Sequence, residues 1–370
     1  MTAQKIPLSR VTIDDEVKAA VLRAVESGQY ILGPESKAFE KELAAYFGRE
    51  HCVLVSSATA GLMLSLQALG IGPGDEVLAP SQTAFPTIEA IFLAGATPVF
   101  LDTDDSACLD PAWIEPRITP RTKAILPVHL YGHPCDLDVL QEVVKRHNLV
   151  LLEDCAQAHG AEWRGKRVGS FGRAGVLSFY PSKNLTVLGD GGAVVTDDAG
   201  LAARLRMLRD HGRRDKYRHE IVGWNLRFNE LQAAAGRVFL RRLDAMNEGR
   251  RRVAARYARQ LEGGPVRLPT EHKLAKHVYH LFVVRTPDAA DRDALAKHLA
   301  AEGIQTGVHY PLPNHLQPAT LNQRAVRAEA LPHTEAWVER ILSLPCFPDM
   351  SDAEVDRVAA EIRRFYAKKG

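Results

Sequence analysis

Lys183 sits in a Ser-, Gly- and Asn-rich loop between two apolar runs, within GSFGRAGVLSFYPSKNLTVLGDGGAVVTDD over 169–198. A lysine in a loop is often just solvated. Here the flanking runs have the character of buried strands, so the loop starts from the interior, and Gly189, Gly191 and Gly192 allow a tight return past a ligand. The GDGG run is not a phosphate-binding P-loop, because no Lys-Ser/Thr follows its last glycine and Gly192 leads into a strand, AVVTD. A second cluster is LVLLEDCAQAHG over 149–160, an apolar strand ending in Glu153 and Asp154 and followed by Gln157 and His159. Ligands of open α/β sheets collect at the carboxyl ends of strands, although Asp154 could equally cap the turn that follows. The third is VLVSSATAGLMLSLQAL over 53–69, where Ser56, Ser57, Ala58 and Thr59 precede a helical pattern. Small residues there expose backbone N–H groups at the positive end of a helix, an anion cradle, or cap it in the ordinary way. An amine for a Schiff base, an anion for a pyridine nitrogen and donors for a phosphate are together what pyridoxal phosphate requires.

The elements that must position these groups alternate. Helical periodicity predicts helices over Asp14 to Ser27, Glu35 to Phe47, Thr59 to Leu69, Phe85 to Ala94 and Asp136 to His147. Between and after them lie short apolar strands at 52–56, 76–81, 97–102, 124–130, 149–154, 175–180 and 192–197. Such runs are those of strands buried on both faces, so the expected class is α/β with a large, mostly parallel seven-stranded sheet. A long Ala/Arg/Leu-rich helix is expected from Glu230 to about Leu261, ended by Gly263, Gly264 and Pro265. After it come a strand at 279–285, a helix over Arg292 to Ala301, a Gly/Pro-rich stretch GVHYPLPNHLQP and a final helix from Asp352 to about Lys368, an α+β pattern. The expected division is residues 14–245 and 246–370, with residues 1–13 packing on the second unit.

Composition narrows the function classes. With 370 residues, 46% hydrophobic and 25% charged, the chain can bury a large core and is far from the signature of disorder. A net charge of +2 argues against a protein that works by neutralising nucleic-acid phosphates. Eight arginines along the long helix are interspersed with Asp244, Glu248 and Glu262, and read as a solvated face. The five cysteines at 52, 108, 135, 155 and 346 form neither a disulfide framework nor a metal-binding pair, which fits a reducing cytoplasm. Neither a signal-peptide-like apolar run nor a membrane-spanning stretch is evident, and no metal site is expected.

The blocks SSATAGL, EDCAQAHGA, SFYPSKN with GDGGAVVTD, GWNLRFNELQAA, GVHYPLPNHLQPA and SLPCFPDMSDAEVDRV, in this order, resemble the nucleotide-sugar aminotransferases of PLP fold type I, the DegT/StrS family. The resemblance covers nearly the whole chain. It implies pyridoxal 5'-phosphate, alternating with pyridoxamine 5'-phosphate, as cofactor, with Lys183 as the Schiff-base lysine, Asp154 as partner of the pyridinium nitrogen and Gln157 beside the ring. It further implies that the phosphate meets Ser57, Ala58, Thr59 and the Ser178 hydroxyl, with Asn225 reaching in from a second subunit of a homodimer. His159, Phe85, Lys216, Tyr217, His309 and Tyr310 are candidates for the substrate cleft. The family often places an aromatic residue after the threonine of PSQTAFPT, where this chain has Ala84 and then Phe85. Lysine at 183 separates the chain from the branch of dehydratases that carries histidine there. The implied reaction moves an amino group from an amino acid, L-glutamate, to a nucleotide-linked keto-deoxy sugar at C3 or C4, with PSQTAFPTIEAI inclining towards dTDP-3-keto-6-deoxyhexose. The alternatives are an aminotransferase of a cyclitol or other small ketone, and a non-catalytic regulator on the same fold.

Overall fold

The computed structural model describes residues 5–323, 326 and 329–369. Strands β1 (His51–Val55), β2 (Glu76–Pro80), β3 (Thr97–Leu101), β4 (Thr122–Ile125), β5 (Val150–Asp154), β8 (Ala174–Ser178) and β9 (Gly192–Thr196) form one seven-stranded sheet. Its order is β1-β9-β8-β5-β4-β2-β3, and only β9 runs antiparallel to its neighbours. The short strands β6 (Glu162–Trp163), β7 (Lys166–Arg167) and β10 (Ala275–Lys276) make a three-stranded sheet, and β11 (Phe282–Arg285) pairs antiparallel with β12 (Ile341–Leu344).

Alternation along the strands sends side chains to two different cores. Cys52 and Leu54 of β1 pack with α1 (Asp15–Glu26), α2 (Pro34–Phe47), α5 (Leu137–His147) and the first half of α7 (Glu230–Leu261). Val53 and Val55 pack on the other face with α3 (Ala58–Ala68), α4 (Phe85–Leu93) and α6 (Ala199–Leu208). A third core joins Ile6, α7 from Val253 onward, β11, β12, α8 (Ala289–Ala301) and α11 (Asp352–Ala367). The short helices α9 (Pro318–Leu321) and α10 (Pro332–Val338) complete the second half. Ile6 also bridges to Ile304.

The arginines of α7 are only in part a solvated face: Arg241, Arg252 and Arg259 are exposed, and the rest are half-buried or buried. Arg237 pairs with Glu35 and Glu42, Arg242 with Asp14 and Glu16, and Arg256 with Asp352 and Asp356, so the helix is stitched to α1, α2 and α11. Composition could not tell partners within the chain from water.

The start of α7 also serves α2. Glu230, buried, accepts from the N–H groups of Gly33 (2.8 Å), Glu35 (2.7 Å) and Ser36 (2.9 Å), so a distant carboxylate caps a helix whose own N-cap, Gly33, has no side chain. Glu230→Ala would strand those donors. The expected loss is about 2–4 kcal/mol, since hydrogen bonds to a charged group are the strong ones. Urea unfolding measures it, and an unchanged midpoint would refute the cap.

Candidate active site

The central loops open at the carboxyl ends of β2, β4, β5 and β8, where an open α/β sheet leaves its crevice. The two acids ending β5 separate there. Glu153 is saturated, receiving the N–H groups of Gly169 (2.7 Å), Phe171 (2.8 Å) and Gly172 (2.7 Å) and facing His129 Nε2 at 3.1 Å. Burial alone would raise its pKa, but His129 and these amides outweigh it and hold the carboxyl below its usual value. With every lone pair committed, Glu153 is a structural lock, which also leaves the nearby His129, Glu153 and Cys155 unsuited to hold a metal.

Asp154 is different. Its described donors, Thr87 Oγ1 (2.9 Å) and the Ala156 N–H (3.0 Å), are both uncharged, and burial pushes its carboxyl up. The Ala156 contact is the turn-capping role foreseen for it, and it leaves the charge without a cation in contact. Lys183 shares the pocket. Its side chain as a whole is only partly covered, but burial of the amine lowers its pKa to about 8, with the Asp154 charge opposing that shift.

Gln157 is clamped by both ends of its amide, accepting from the Tyr131 N–H (2.7 Å) and donating to Tyr310 Oη (3.0 Å). Burial raises the Tyr310 hydroxyl to about 12, so it stays a phenol. His309 Nδ1 meets Ser343 Oγ at 2.8 Å, while its carbonyl accepts from Tyr131 Oη and Gln82 Nε2. His159 is fully enclosed, neither ring nitrogen has a hydrogen-bond partner among the described residues, and burial together with the Lys183 charge lowers its pKa to about 3. Gln157, His159, His309 and Tyr310 are thus gathered around Lys183 and Asp154.

The stretch expected to form an anion cradle is a helix start. Ser57 is the N-cap of α3, its hydroxyl accepting from the Ala60 N–H at 3.1 Å, so the capping reading of this stretch holds and is compatible with a cradle at the same helix start. A helix's first N–H groups have no acceptor within the helix, which leaves those of Ala58 and Thr59 for an outside anion. Only glycine fits at 192 beside them, because a Cβ there would lie 2.6 Å from the Ala58 nitrogen. Ser178 ends β8, nearly buried. Phe85 is the half-buried first residue of α4.

Three of the expected residues stand away from this cluster. Asn225 is exposed, on the strip that bridges to Asp210, and Lys216 and Tyr217 occupy an exposed loop in which Arg213 bridges to His219. The Lys216 ammonium lies over the Tyr217 ring, and among the described residues no contact joins either to Lys183.

Sequence reading missed Thr87, Tyr131 and Gln82. AILPVHL was expected to be strand throughout, but β4 stops at Ile125, and Leu130 to Gly132 form a 3-10 turn with Tyr131 at φ 57°. Pro127, which lacks an N–H to continue the ladder, was the available signal. Ser81, His315 and Glu335 line up as hydroxyl, imidazole and carboxylate (Oγ to Nδ1 2.7 Å, Nε2 to Oε1 3.2 Å) in the order of a nucleophile triad. Ser81 is fully buried and also accepts the His315 N–H, so the trio is a tether from β2 to the loop that follows Tyr310.

These donors fit pyridoxal phosphate. A buried carboxylate without a cation in contact, an amine partly neutral near pH 8, a free helix start and an imidazole with two orphaned nitrogens are what a pyridinium, an aldehyde, a phosphate and ring substituents would each satisfy.

The profile of the DegT/DnrJ/EryC1/StrS aminotransferase family matches residues 11–363. The chain belongs to this family. It is 48% identical over 352 residues to the dTDP-3-amino-3,4,6-trideoxy-alpha-D-glucose transaminase of Streptomyces venezuelae, covering 95% of this chain and 92% of the relative. It is also 48% identical over 350 residues to the erythromycin biosynthesis sensory transduction protein EryC1 of Saccharopolyspora erythraea, covering 94% of each. The crystal structure of S. venezuelae DesV in complex with a ketimine intermediate superposes with a TM-score of 0.94 at 46% identity, covering 98% of both chains. The protein is a PLP-dependent aminotransferase of the amino-sugar type. No helix among the described residues is long and apolar enough to cross a membrane, and the five cysteines are free and buried.

Proposed function

We propose that this family member transfers the amino group of L-glutamate to the keto carbon of a nucleotide-linked keto-deoxy sugar, with dTDP-3-keto-6-deoxyhexose and its C3 as first choice. The observation that carries this is the shared pocket of Lys183 and Asp154; the choice of sugar rests on likeness to the dTDP-3-amino sugar transaminase. The cofactor supplies a carbonyl for the amino group and an electron-withdrawing pyridinium ring. Lys183 Nζ, neutral in part near pH 8, takes the proton from the donor's Cα and, once protonated, can return it, while Asp154 stabilises a positive nitrogen facing it. Gln157 would flank the ring, the N–H groups of Ala58 and Thr59 with the Ser57 and Ser178 hydroxyls would hold the phosphate, and His159, Phe85, His309 and Tyr310 would shape the substrate side.

The working form is proposed to be a homodimer in which Asn225, Lys216 and Tyr217 serve the neighbouring site. Exposed Val222, Trp224 and Tyr217 on the same strip support a covered surface, because apolar patches of this kind mark interfaces. The two working units are taken as 14–245 and 246–370, with residues 1–13 on the second; α7 packs on the large core through Leu243 and on the small one from Val253. Five free buried cysteines fit a cytoplasmic setting.

The test supplies glutamate and follows formation of 2-oxoglutarate, then offers the dTDP-keto sugar beside a cyclitol ketone, with the aminated product read by mass spectrometry and NMR. Amination of the sugar at C3 is expected. Amination of the cyclitol alone would replace the substrate class, no 2-oxoglutarate with glutamate would replace the donor, and inertness towards every donor and ketone would favour the regulatory reading.

A further inference from the structure

Immediately after Lys183, the buried side chain of Asn184 is fixed at three points. Its Nδ2 donates to Asn247 Oδ1 (2.8 Å) and to the Val278 carbonyl (3.1 Å), and its Oδ1 faces His280 Nδ1 at 3.2 Å. Because Oδ1 can only accept, His280 must carry its proton on Nδ1, which fixes its tautomer. Asn247, on α7 and also buried, passes the link onward by donating to the His159 carbonyl at 2.8 Å. One amide pair therefore ties four segments together: the Lys183 loop, the long helix, the loop after β5 that carries Gln157 and His159, and the approach to β11. Packing alone would not need this. A buried amide with every polar atom satisfied specifies one geometry, whereas apolar contacts of the same size tolerate sliding.

We propose that Asn184, Asn247 and His280 form a positioning network that sets where the Lys183 amine stands and how far water is kept from it. The inference rests on the reading of Lys183 as the reactive lysine. The groups facing that amine come from every element around it: Asp154 at the end of β5, His159 on the next loop, His280 before β11 and His309 on the loop ahead of β12. Burial and the Lys183 charge keep all three imidazoles below their ordinary pKa, so Asp154 is the only opposite charge among them. With the charges so arranged, exclusion of water is what lowers the lysine, and loosening the network has a definite sign: water enters and the amine becomes more basic.

The test is made first on the cofactor-free protein. Reactivity of Lys183 towards an acylating reagent is followed against pH by peptide mass spectrometry in wild type and in Asn247→Ala, which removes both links of Asn247. The expected result is a midpoint raised by half a pH unit or more, leaving about threefold less neutral amine at a given pH below the midpoint. Thr196→Ala, which removes a buried hydroxyl bonded to the Arg173 carbonyl at the opposite end of β9 from Gly192, is the control: it should lower the melting temperature and leave the midpoint alone. An Asn247→Ala protein that melts earlier but titrates like wild type, or titrates lower, overturns the proposal. Asn247→Ser, a smaller loss of volume, is expected to move the midpoint the same way and replaces the alanine variant should that not fold. Borohydride reduction of the wild type with pyridoxal phosphate tests the underlying reading separately: label on a lysine other than Lys183 removes that reading, whereas label on Lys183 with an unmoved midpoint removes only the network.

Discussion

Lys183→Ala is expected to lower transamination by about 10³-fold or more while the protein still folds, because on the proposed reading the lesion removes both the amine that would hold the cofactor and the base that would move the donor's Cα proton. Burial gives this expectation a pH signature. With the amine brought down to about 8, roughly a quarter of it is neutral at pH 7.5, against about one part in a thousand for an ordinary lysine. Only the neutral amine is a nucleophile or base. Attachment of pyridoxal phosphate to the wild-type apoprotein should therefore accelerate with rising pH and level off above about 8, and stopped-flow absorbance would show it. A rate still climbing steeply at pH 10 would mean that the amine is not buried in solution. The same variant tests whether sites are shared. In a mixed dimer of Lys183→Ala with Asn225→Ala subunits, one site carries both lesions and the other neither, if Asn225 serves the neighbour. Random mixing should then regain about a quarter of wild-type activity, since half the dimers are mixed and each has one sound site of two. Activity no higher than the mean of the two parents would place Asn225 in its own subunit's site or in none.

How much of this was legible in the sequence depends on the range of the interactions. The seven sheet strands were readable because strands buried on both faces must be apolar throughout, and α7, expected from Glu230 to about Leu261, was readable since its composition and the Gly263, Gly264 and Pro265 stop are local. Lys183, Asp154 and the start of α3 could be picked out as candidates for a related reason: each lies at or shortly after the end of a strand, and the residue types themselves mark them. What escaped were the residues that act through others. Thr87 matters only because it donates to an acid 67 positions away, and Tyr131 only because β4 ends early and turns its backbone N–H towards Gln157. Glu230 reads as an ordinary first-turn acid of α7, yet the helix it caps is α2. Hydrophobic periodicity reports which face is buried. It carries no information on which distant polar partner waits there.

Asp154→Asn should move stability and turnover in directions that depend on whether the cofactor is bound. In the empty protein Asp154 is a buried acid whose donors are neutral, and burial raises its pKa. A carboxyl raised in the folded state costs stability as pH climbs from its unfolded value through its folded one, and the penalty persists above that. The amide keeps an oxygen to accept from Ala156 and removes the charge, so the cofactor-free variant should melt higher than wild type at pH 8. With pyridoxal phosphate bound, and Asp154 facing its ring nitrogen as proposed, the sign reverses. A carboxylate beside a protonated ring nitrogen gains by holding that charge, whereas an amide cannot, so saturation with the cofactor should stabilise the variant less than it stabilises wild type. Turnover should fall by about 10²–10³-fold with little change in the KM for the sugar, because what is lost is stabilisation of charge during the proton transfer rather than substrate contact. Melting curves with and without cofactor, together with steady-state rates, check all three statements. If the variant were less stable than wild type when empty and nearly as active when loaded, Asp154 would be a turn cap like any other, and the acid that faces the cofactor would have to be sought elsewhere in the pocket.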